Sequence, residues 1–159
     1  MIFPPLDILV KKEGIFMEKD TEQLLRETNY GVKLAIMNMK NILDEAEDGE
    51  LMKLILHQVE EHEKLEQKTS DAMDQHGYEE KAVSAMMHAF SEVTTELKML
   101  WRDDTAKIAE MLVDGCNMGI KNISQTINQC ENASKEAKAL AEELIHTEDR
   151  FLRKLQPFL

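Results

Sequence analysis

Residues 54–66 read LILHQVEEHEKLE, a stretch in which leucines recur at helical spacing among two histidines and four glutamates. At about 100° per residue, Gln58 and His62 fall on the apolar face of this helix, whereas His57 points away from it. His57 and His62 also diverge too far to share one ion on a straight helix. The stretch therefore predicts a helix that buries one histidine, exposes the other and keeps most of its acids in water.

The composition favours an all-α protein with a single domain. The 159 residues include three prolines, all near the ends of the chain, at Pro4, Pro5 and Pro157. The formal net charge of −12 argues against nucleic acid or an anionic membrane as a partner. No apolar run reaches the roughly 18 residues that a membrane-spanning helix needs. Cys116 and Cys130 lie too far apart on one predicted helix to form a disulfide. Together with the lack of a signal peptide, this predicts a cytoplasmic location.

Capping residues divide the chain into five predicted helices. These are helix A (about 19–46), helix B (about 50–75), helix C (about 79–102), helix D (to about 130, after an N-cap at Asp103 or Asp104) and helix E (from Ser134 to just before Pro157). Gly49 and Gly77 are predicted to end helices A and B in the left-handed conformation. Nothing in the sequence breaks the helix between C and D, so a single long, bent helix is an alternative.

The first sixteen residues lack a helical period, and two interpretations stay open. One is an arm that packs apolar side chains on a neighbouring molecule, namely Ile2, Phe3, Leu6 and Ile8. The other is that translation starts at Met17, because the codons of residues 12–14 can form a purine run like a bacterial ribosome-binding site. The predicted organisation is an extension of residues 1–16, native or not, and one helical-bundle domain of residues 17–159.

Helices A and D carry similar sequences, NYGVK at residues 29–33 and NMGIK at residues 117–121. Each is followed by a polar loop and a second helix, so A–B and D–E form two equivalent hairpins with helix C between them. This is the layout of a four-helix bundle with a long crossover. Gly31 and Gly119 are predicted to let the two helix backbones approach closely.

Helical phase also predicts a small set of polar side chains in the interior. They are Thr28 in helix A, Gln58 and His62 in helix B, Cys116 in helix D, and Glu148 in helix E. His146 belongs to the only Glu-x-x-His motif of the chain and points away from the core. We interpret His62 and Glu148 as a hydrogen-bonded pair that fixes helix register, since a buried charge needs a partner.

The two hairpins, with HQVEEHEKL at residues 57–65 and ELIHTEDRFLRKL at residues 143–155, resemble the ferritin-like superfamily, most closely its small bacterial members. The resemblance implies an up-down-down-up four-helix bundle with an additional crossover helix. Active members hold two irons with a Glu on each of two helices and a Glu-x-x-His on each of the others. Here Thr28 and Cys116 stand where glutamates are needed, and Val59 stands three residues before His62. The implied di-iron site is degenerate.

Three of the inward side chains, His62, Glu148 and Cys116, stay candidates for a single iron or zinc ion. No spacing indicates a nucleophile with its base, a phosphate-binding loop or a CxxC motif. We therefore predict a cytoplasmic protein without enzymatic activity or cofactor. Its predicted action is self-association or binding of another protein.

Outward-facing apolar residues are the predicted contacts of that interaction. They are Tyr30, Met37, Met99 and Met118. The first alternative is a metal-binding or redox ferritin-like protein with a mononuclear site. A further alternative is a small-ligand pocket between the helices around Gly31 and Gly119.

Overall fold

The computed structural model describes residues 6–44, 46–82 and 104–159, and these residues form helices and loops without any strand. The helices are α1 (Leu6–Leu43), α2 (Gly49–His76), α3 (Thr105–Gln129) and α4 (Lys135–Leu155), followed by a short 3₁₀ helix (Gln156–Phe158). The predicted all-α class is confirmed, and the described helices pack as a bundle.

α1 begins at Leu6, so the prediction that helix A starts near residue 19 was wrong. Two prolines directly precede this start, and proline is favoured at the first turn of a helix. The single Gly14 costs only about 1 kcal/mol in a helix interior. Sequence periodicity missed this part of α1 because its apolar residues lie on several sides of the helix and not on one face.

The caps of α2 explain where the first loop ends. Asp48 accepts hydrogen bonds from the backbone amides of Glu50 and Leu51 at 3.0 and 2.8 Å. Gly49 is therefore the first residue of α2, and its predicted role as the C-cap of helix A was wrong. Gly77 ends α2 with φ of +70°, which confirms the left-handed cap predicted there.

α3 and α4 each begin at a predicted N-cap. The Asp104 side chain accepts from the Lys107 amide at 3.2 Å, and the Ser134 hydroxyl accepts from the Ala137 amide at 3.1 Å. The backbone of Asp104 is extended, so no helix runs continuously through it and the single bent helix is wrong at this residue. Residues 79–82 are not helical, and the rest of predicted helix C lies outside the described residues.

Contacts between the helices define their relative directions. α1 and α2 run antiparallel, because Asn29 bonds Thr69 while Lys40, further along α1, bonds Glu63. α2 and α4 are also antiparallel, since Gln58 contacts Thr147 and Lys68 contacts Glu143. α3 and α4 form a hairpin through the loop at residues 130–134, and α1 contacts both of them.

The bundle interior is lined by residues from all four helices, and its largest fully buried apolar side chains are Leu24, Leu25, Val32, Leu51, Ile55, Leu65, Met73, Phe151 and Leu155. Met39 and Met73 are also buried in this interior. Within the described ranges, no helix is long and apolar enough to cross a membrane.

The two glycines of the similar sequences do not mark a close backbone approach. A Cβ added at Gly31 would lie 3.6 Å from Leu144 Cδ2, and one at Gly119 would lie 3.9 Å from Glu148 Cγ. These are ordinary van der Waals distances, so neither position requires glycine and this prediction was wrong. The further alternative placed a small-ligand pocket around Gly31. In the structure, the side chains of Leu144 and Ile123 lie against Gly31 at this place.

Candidate functional site

His62 and Glu148 form a buried pair between α2 and α4. His62 Nε2 lies 2.8 Å from Glu148 Oε1, and His62 Nδ1 lies 3.0 Å from the backbone oxygen of Gln58. The His62 side chain is completely buried and that of Glu148 nearly so. Because a backbone oxygen only accepts hydrogen bonds, Nδ1 carries a proton and donates it to Gln58.

This geometry fixes the net charge of the pair. A second proton has to lie between Nε2 and Oε1, since two bare acceptor atoms at 2.8 Å would repel each other. The pair is then either an imidazolium with a carboxylate or a neutral imidazole with a carboxylic acid. Its net charge is zero in both cases. The interior therefore holds two polar groups without an uncompensated charge, which limits the cost of their burial.

Gln58 provides a second link between the same two helices. Its side-chain Nε2 donates to the backbone oxygen of Thr147 at 3.2 Å, one residue before Glu148. Gln58 and His62 are one helical turn apart on α2 and so hold two successive residues of α4. An α2–α4 slip by even one residue would break both contacts.

Cys116 on α3 faces the Glu148 carboxylate from the other side. Burial, and then the negative charge of Glu148 and a hydrogen bond to it, raise the pKa of the Cys116 thiol well above its ordinary value. The group therefore stays a protonated thiol. Because a thiolate is the form that reacts and binds metals, this environment favours a structural cysteine.

Thr28 is buried too, but it makes no hydrogen bond to His62 or Glu148. Its hydroxyl donates to the Leu24 backbone oxygen of its own helix at 2.7 Å. The five predicted interior polar residues are thus all buried, and hydrogen bonds join Gln58, His62 and Glu148. His57 and His146 are exposed, which confirms their predicted outward orientation.

The structure adds a buried polar residue that sequence reasoning missed. Asn29 on α1 is completely buried, and its Nδ2 donates to Thr69 Oγ1 at 3.0 Å and to Ser70 Oγ at 3.1 Å. The Ser70 hydroxyl in turn donates to Glu80 Oε1 at 2.7 Å. Helical phase places Asn29 beside Thr28 on α1. Its two hydroxyl partners on α2 become apparent only from the register between α1 and α2.

The interior residues do not fit a di-iron centre. Thr28 and Cys116 supply no carboxylate, and the inward carboxylate of Glu148 already bonds His62. In the part of the chain that the structure describes, no group of three His, Cys, Asp or Glu side chains is arranged to hold a metal ion. The candidates His62, Glu148 and Cys116 lie together without forming such a set.

A second feature lies at the start of α1, where six large apolar side chains are exposed. They are Ile8, Leu9, Val10, Ile15, Phe16 and Met17, each between 41% and 62% exposed. This group, here called the α1 apolar segment, was not the predicted interaction surface. Its Ile8 belongs to the arm that one interpretation of the sequence proposed, and Ile2 and Phe3 lie outside the described residues.

The predicted outward surface of Tyr30, Met37, Met99 and Met118 is confirmed only in part. Met118 is 64% exposed, as predicted, and Met37 is only partly exposed. Tyr30 is buried, which corrects its prediction, because Lys81 from the segment after α2 places its Nζ 4.5 Å from the ring centroid. Met99 lies outside the described residues.

The chain thus offers two features for a functional interpretation, the neutral His62–Glu148 pair and the α1 apolar segment. The pair is enclosed by α2, α3 and α4, whereas the segment is open to solvent. Comparisons with protein-family models, with curated proteins and with solved structures found no match for this chain.

Proposed function

We propose that this chain is a non-enzymatic helical-bundle protein that acts through self-association, with the α1 apolar segment as the contact surface. The supporting observation is the cluster of six exposed apolar side chains within the ten residues 8–17. Monomeric proteins seldom leave such large contiguous apolar areas open to water. Fully burying one of these side chains contributes roughly 1.5–3 kcal/mol.

The position of the segment supports this proposal. Glu18 accepts a hydrogen bond from the Tyr78 hydroxyl at 3.4 Å, Asp20 one from the Asn132 amide at 2.9 Å, and Thr21 one from the Ser134 amide at 2.9 Å. Every described side chain from residue 8 to 19 is exposed. About 18 Å of helix, residues 6–17 at 1.5 Å per residue, therefore precedes the part of α1 that joins the bundle.

We further propose a ferritin-like, up-down-down-up arrangement of the four helices. Support comes from helix direction, because Thr21 of α1 contacts Ser134 at the start of α4, and Gly31 lies by Leu144 further along both helices. α1 and α4 thus run in the same direction, and α2 and α3 run opposite to both. The sequence predicts the crossover helix between α2 and α3, and most of that predicted helix lies outside the described residues.

A structural role for the His62–Glu148 pair follows within this proposal. Both His62 ring nitrogens already have partners, and the thiol of Cys116 keeps its proton. A cytoplasmic location is part of the proposal as well, supported by two buried, free thiols.

The competing function is metal binding or redox chemistry with one iron or zinc at His62, Glu148 and Cys116. Their mutual proximity favours it, but an ion would have to replace the 2.8 Å hydrogen bond and take the thiol proton. Elemental analysis of protein purified without chelator or affinity metal separates the two functions. We expect less than stoichiometric metal, unchanged in His62→Ala. Stoichiometric iron or zinc that disappears in this variant would contradict the proposed function.

Self-association itself is tested by light scattering of the full chain over a wide range of protein concentration. The proposal predicts a mass that rises with concentration. It also predicts loss of this rise when Phe16 is replaced by Asp. A constant monomer mass at every concentration would overturn it.

A further inference from the structure

The segment that follows α2 is attached to α1 by two ion pairs. Lys81 Nζ lies 3.0 and 3.2 Å from the two carboxylate oxygens of Glu27. The neighbouring Glu80 pairs with Lys33, further along the same helix. Residues 79–82, here called the α2 strap, therefore lie across α1 and are held there by charged side chains.

The order of charges on the α2 strap complements the order on α1. Glu27, Tyr30 and Lys33 are spaced three residues apart, so they follow one another along one side of the helix. Lys81 pairs with Glu27 and also places its Nζ 4.5 Å from the centroid of the Tyr30 ring. Exchanging the two strap charges would bring lysine to Lys33 and glutamate to Glu27. The charges thus define one position of the strap, with Lys81 over the ring.

The attachments of the α2 strap are accessible to solvent. The side chains of Glu80 and Lys81 are 39% and 43% exposed, and an open cleft of about 370 Å³ borders Lys81 along residues 19–27 of α1. Besides its ion pair, Glu80 accepts one hydrogen bond from Ser70 at 2.7 Å. Exposed ion pairs contribute little stability, and dissolved salt screens them. All four residues of the strap are exposed, so none of its side chains anchors it in the core.

The residues just before the α2 strap are held more firmly. The Tyr78 amide donates to the Met73 oxygen at 2.9 Å, which completes the cap at Gly77. The Tyr78 ring stacks on His76 and packs against the core. Tyr78 is therefore a fixed end. Movement of the strap beyond it breaks no backbone hydrogen bond of α2.

We propose that the α2 strap is a reversible cover, held by charge, whose release uncovers the Tyr30 ring. In the closed state Lys81 lies over the ring, and Tyr30 is buried. In the open state both ion pairs are broken. Rising ionic strength favours the open state, because salt screens the exposed charges and leaves the apolar core intact. Since tyrosine is enriched at protein interfaces, the strap controls access to an aromatic contact residue. All these contacts lie within one chain, so the inference does not depend on self-association.

Fluorine NMR of the full-length chain measures the exposure of Tyr30. The chain has two tyrosines, so labelling with 3-fluorotyrosine gives two signals, and the signal missing in Tyr30→Phe is that of Tyr30. An uncharged, soluble gadolinium chelate speeds the relaxation of a fluorine nucleus that solvent reaches. The Debye length falls from about 10 Å at 0.1 M salt to about 3 Å at 1 M. Over this range of sodium chloride, we expect the relaxation effect at Tyr30 to rise severalfold in the wild type.

Two variants distinguish a strap from a single covering side chain. Lys81→Ala removes the group over the ring and should expose Tyr30 already at low salt. Glu80→Ala changes a residue that pairs with Lys33 and not with the ring. It should give a similar exposure at low salt, because it releases the strap as a unit. Glu50→Ala is the control, since it removes an exposed glutamate whose ion pair lies within α2, and it should keep the wild-type salt dependence.

Each outcome decides the inference. A Tyr30 signal that stays protected at the highest salt in the wild type would overturn the charge-held cover. Exposure in Lys81→Ala but not in Glu80→Ala would overturn the strap, because one lysine would then cover the ring alone. Circular dichroism of the same samples reports the helices. Exposure of Tyr30 together with loss of the helical signal would also contradict the inference, since the bundle itself would have opened.

Discussion

His62 Nε2 on α2 lies 2.8 Å from Glu148 Oε1 on α4, in a buried contact that joins the two helical hairpins. The second ring nitrogen bonds the Gln58 backbone oxygen, so the imidazole has no free hydrogen-bonding position. This arrangement uses the histidine as a helix connector. Its consequences for stability can be measured separately from any consequence for function.

Removing one member of the pair should be far more costly than removing both. We expect His62→Ala to lower the free energy of unfolding by about 3–5 kcal/mol, because Glu148 then stays buried without a partner. The double variant His62→Leu with Glu148→Leu should lie within about 1 kcal/mol of wild type. Urea unfolding of each variant measures both values. Equal losses in the single and double variants would contradict a paired role.

The burial of His62 and Glu148 could be predicted from the sequence because helical phase alone determines it. Each residue lies in line with large apolar neighbours on its own helix, and a regular helix keeps that alignment. The caps at Gly77, Asp104 and Ser134 could be predicted for a similar reason, since each depends on its immediate neighbours only.

The features that the sequence did not reveal depend on contacts between distant segments. Tyr30 faces outward by phase, but Lys81 in the segment after α2 covers its ring. Asn29 finds Thr69 only through the register of α1 against α2. The early start of α1 was missed for a different reason, because periodicity detects one-sided burial and the α1 apolar segment is apolar on several sides.

Both cysteine thiols should resist modification in the folded protein. Burial is the largest cause that raises the pKa of Cys116 and of Cys130, and neighbouring carboxylates add to it. We expect negligible reaction with a thiol reagent at mildly alkaline pH and complete reaction of both thiols in denaturant. Because burial dominates, Glu148→Gln should leave Cys116 protected. Rapid labelling of Cys116 in the native wild type would contradict its structural role.

Glu80 should contribute a small, acid-sensitive part of the stability. Hydrogen bonds from Lys33 and from Ser70 lower the pKa of Glu80 below its ordinary value of 4.5. A folded-state pKa below the unfolded one stabilises the protein above the unfolded pKa, and this contribution disappears as the pH falls through the folded pKa. Since the side chain is partly exposed, we expect Glu80→Gln to cost less than about 1 kcal/mol at neutral pH.

The pH dependence of that variant is the check on Glu80. The difference in unfolding free energy between wild type and Glu80→Gln should shrink as the pH is lowered below 4.5. The ion pair between Lys53 and Glu50 is a control for this measurement. Its two side chains are exposed, lie 2.8 Å apart and both belong to α2, so the pair joins no second element. A Glu80 difference that grows on acidification would contradict the assigned direction of the shift.

Sedimentation equilibrium of the full-length chain beside Phe16→Asp tests self-association through the α1 apolar segment most simply. We expect the wild-type mass to rise from the monomer value of 18.3 kDa toward twice that value as concentration increases, while the variant stays monomeric and fully helical. A wild-type protein that keeps the monomer mass throughout would contradict self-association through the α1 apolar segment.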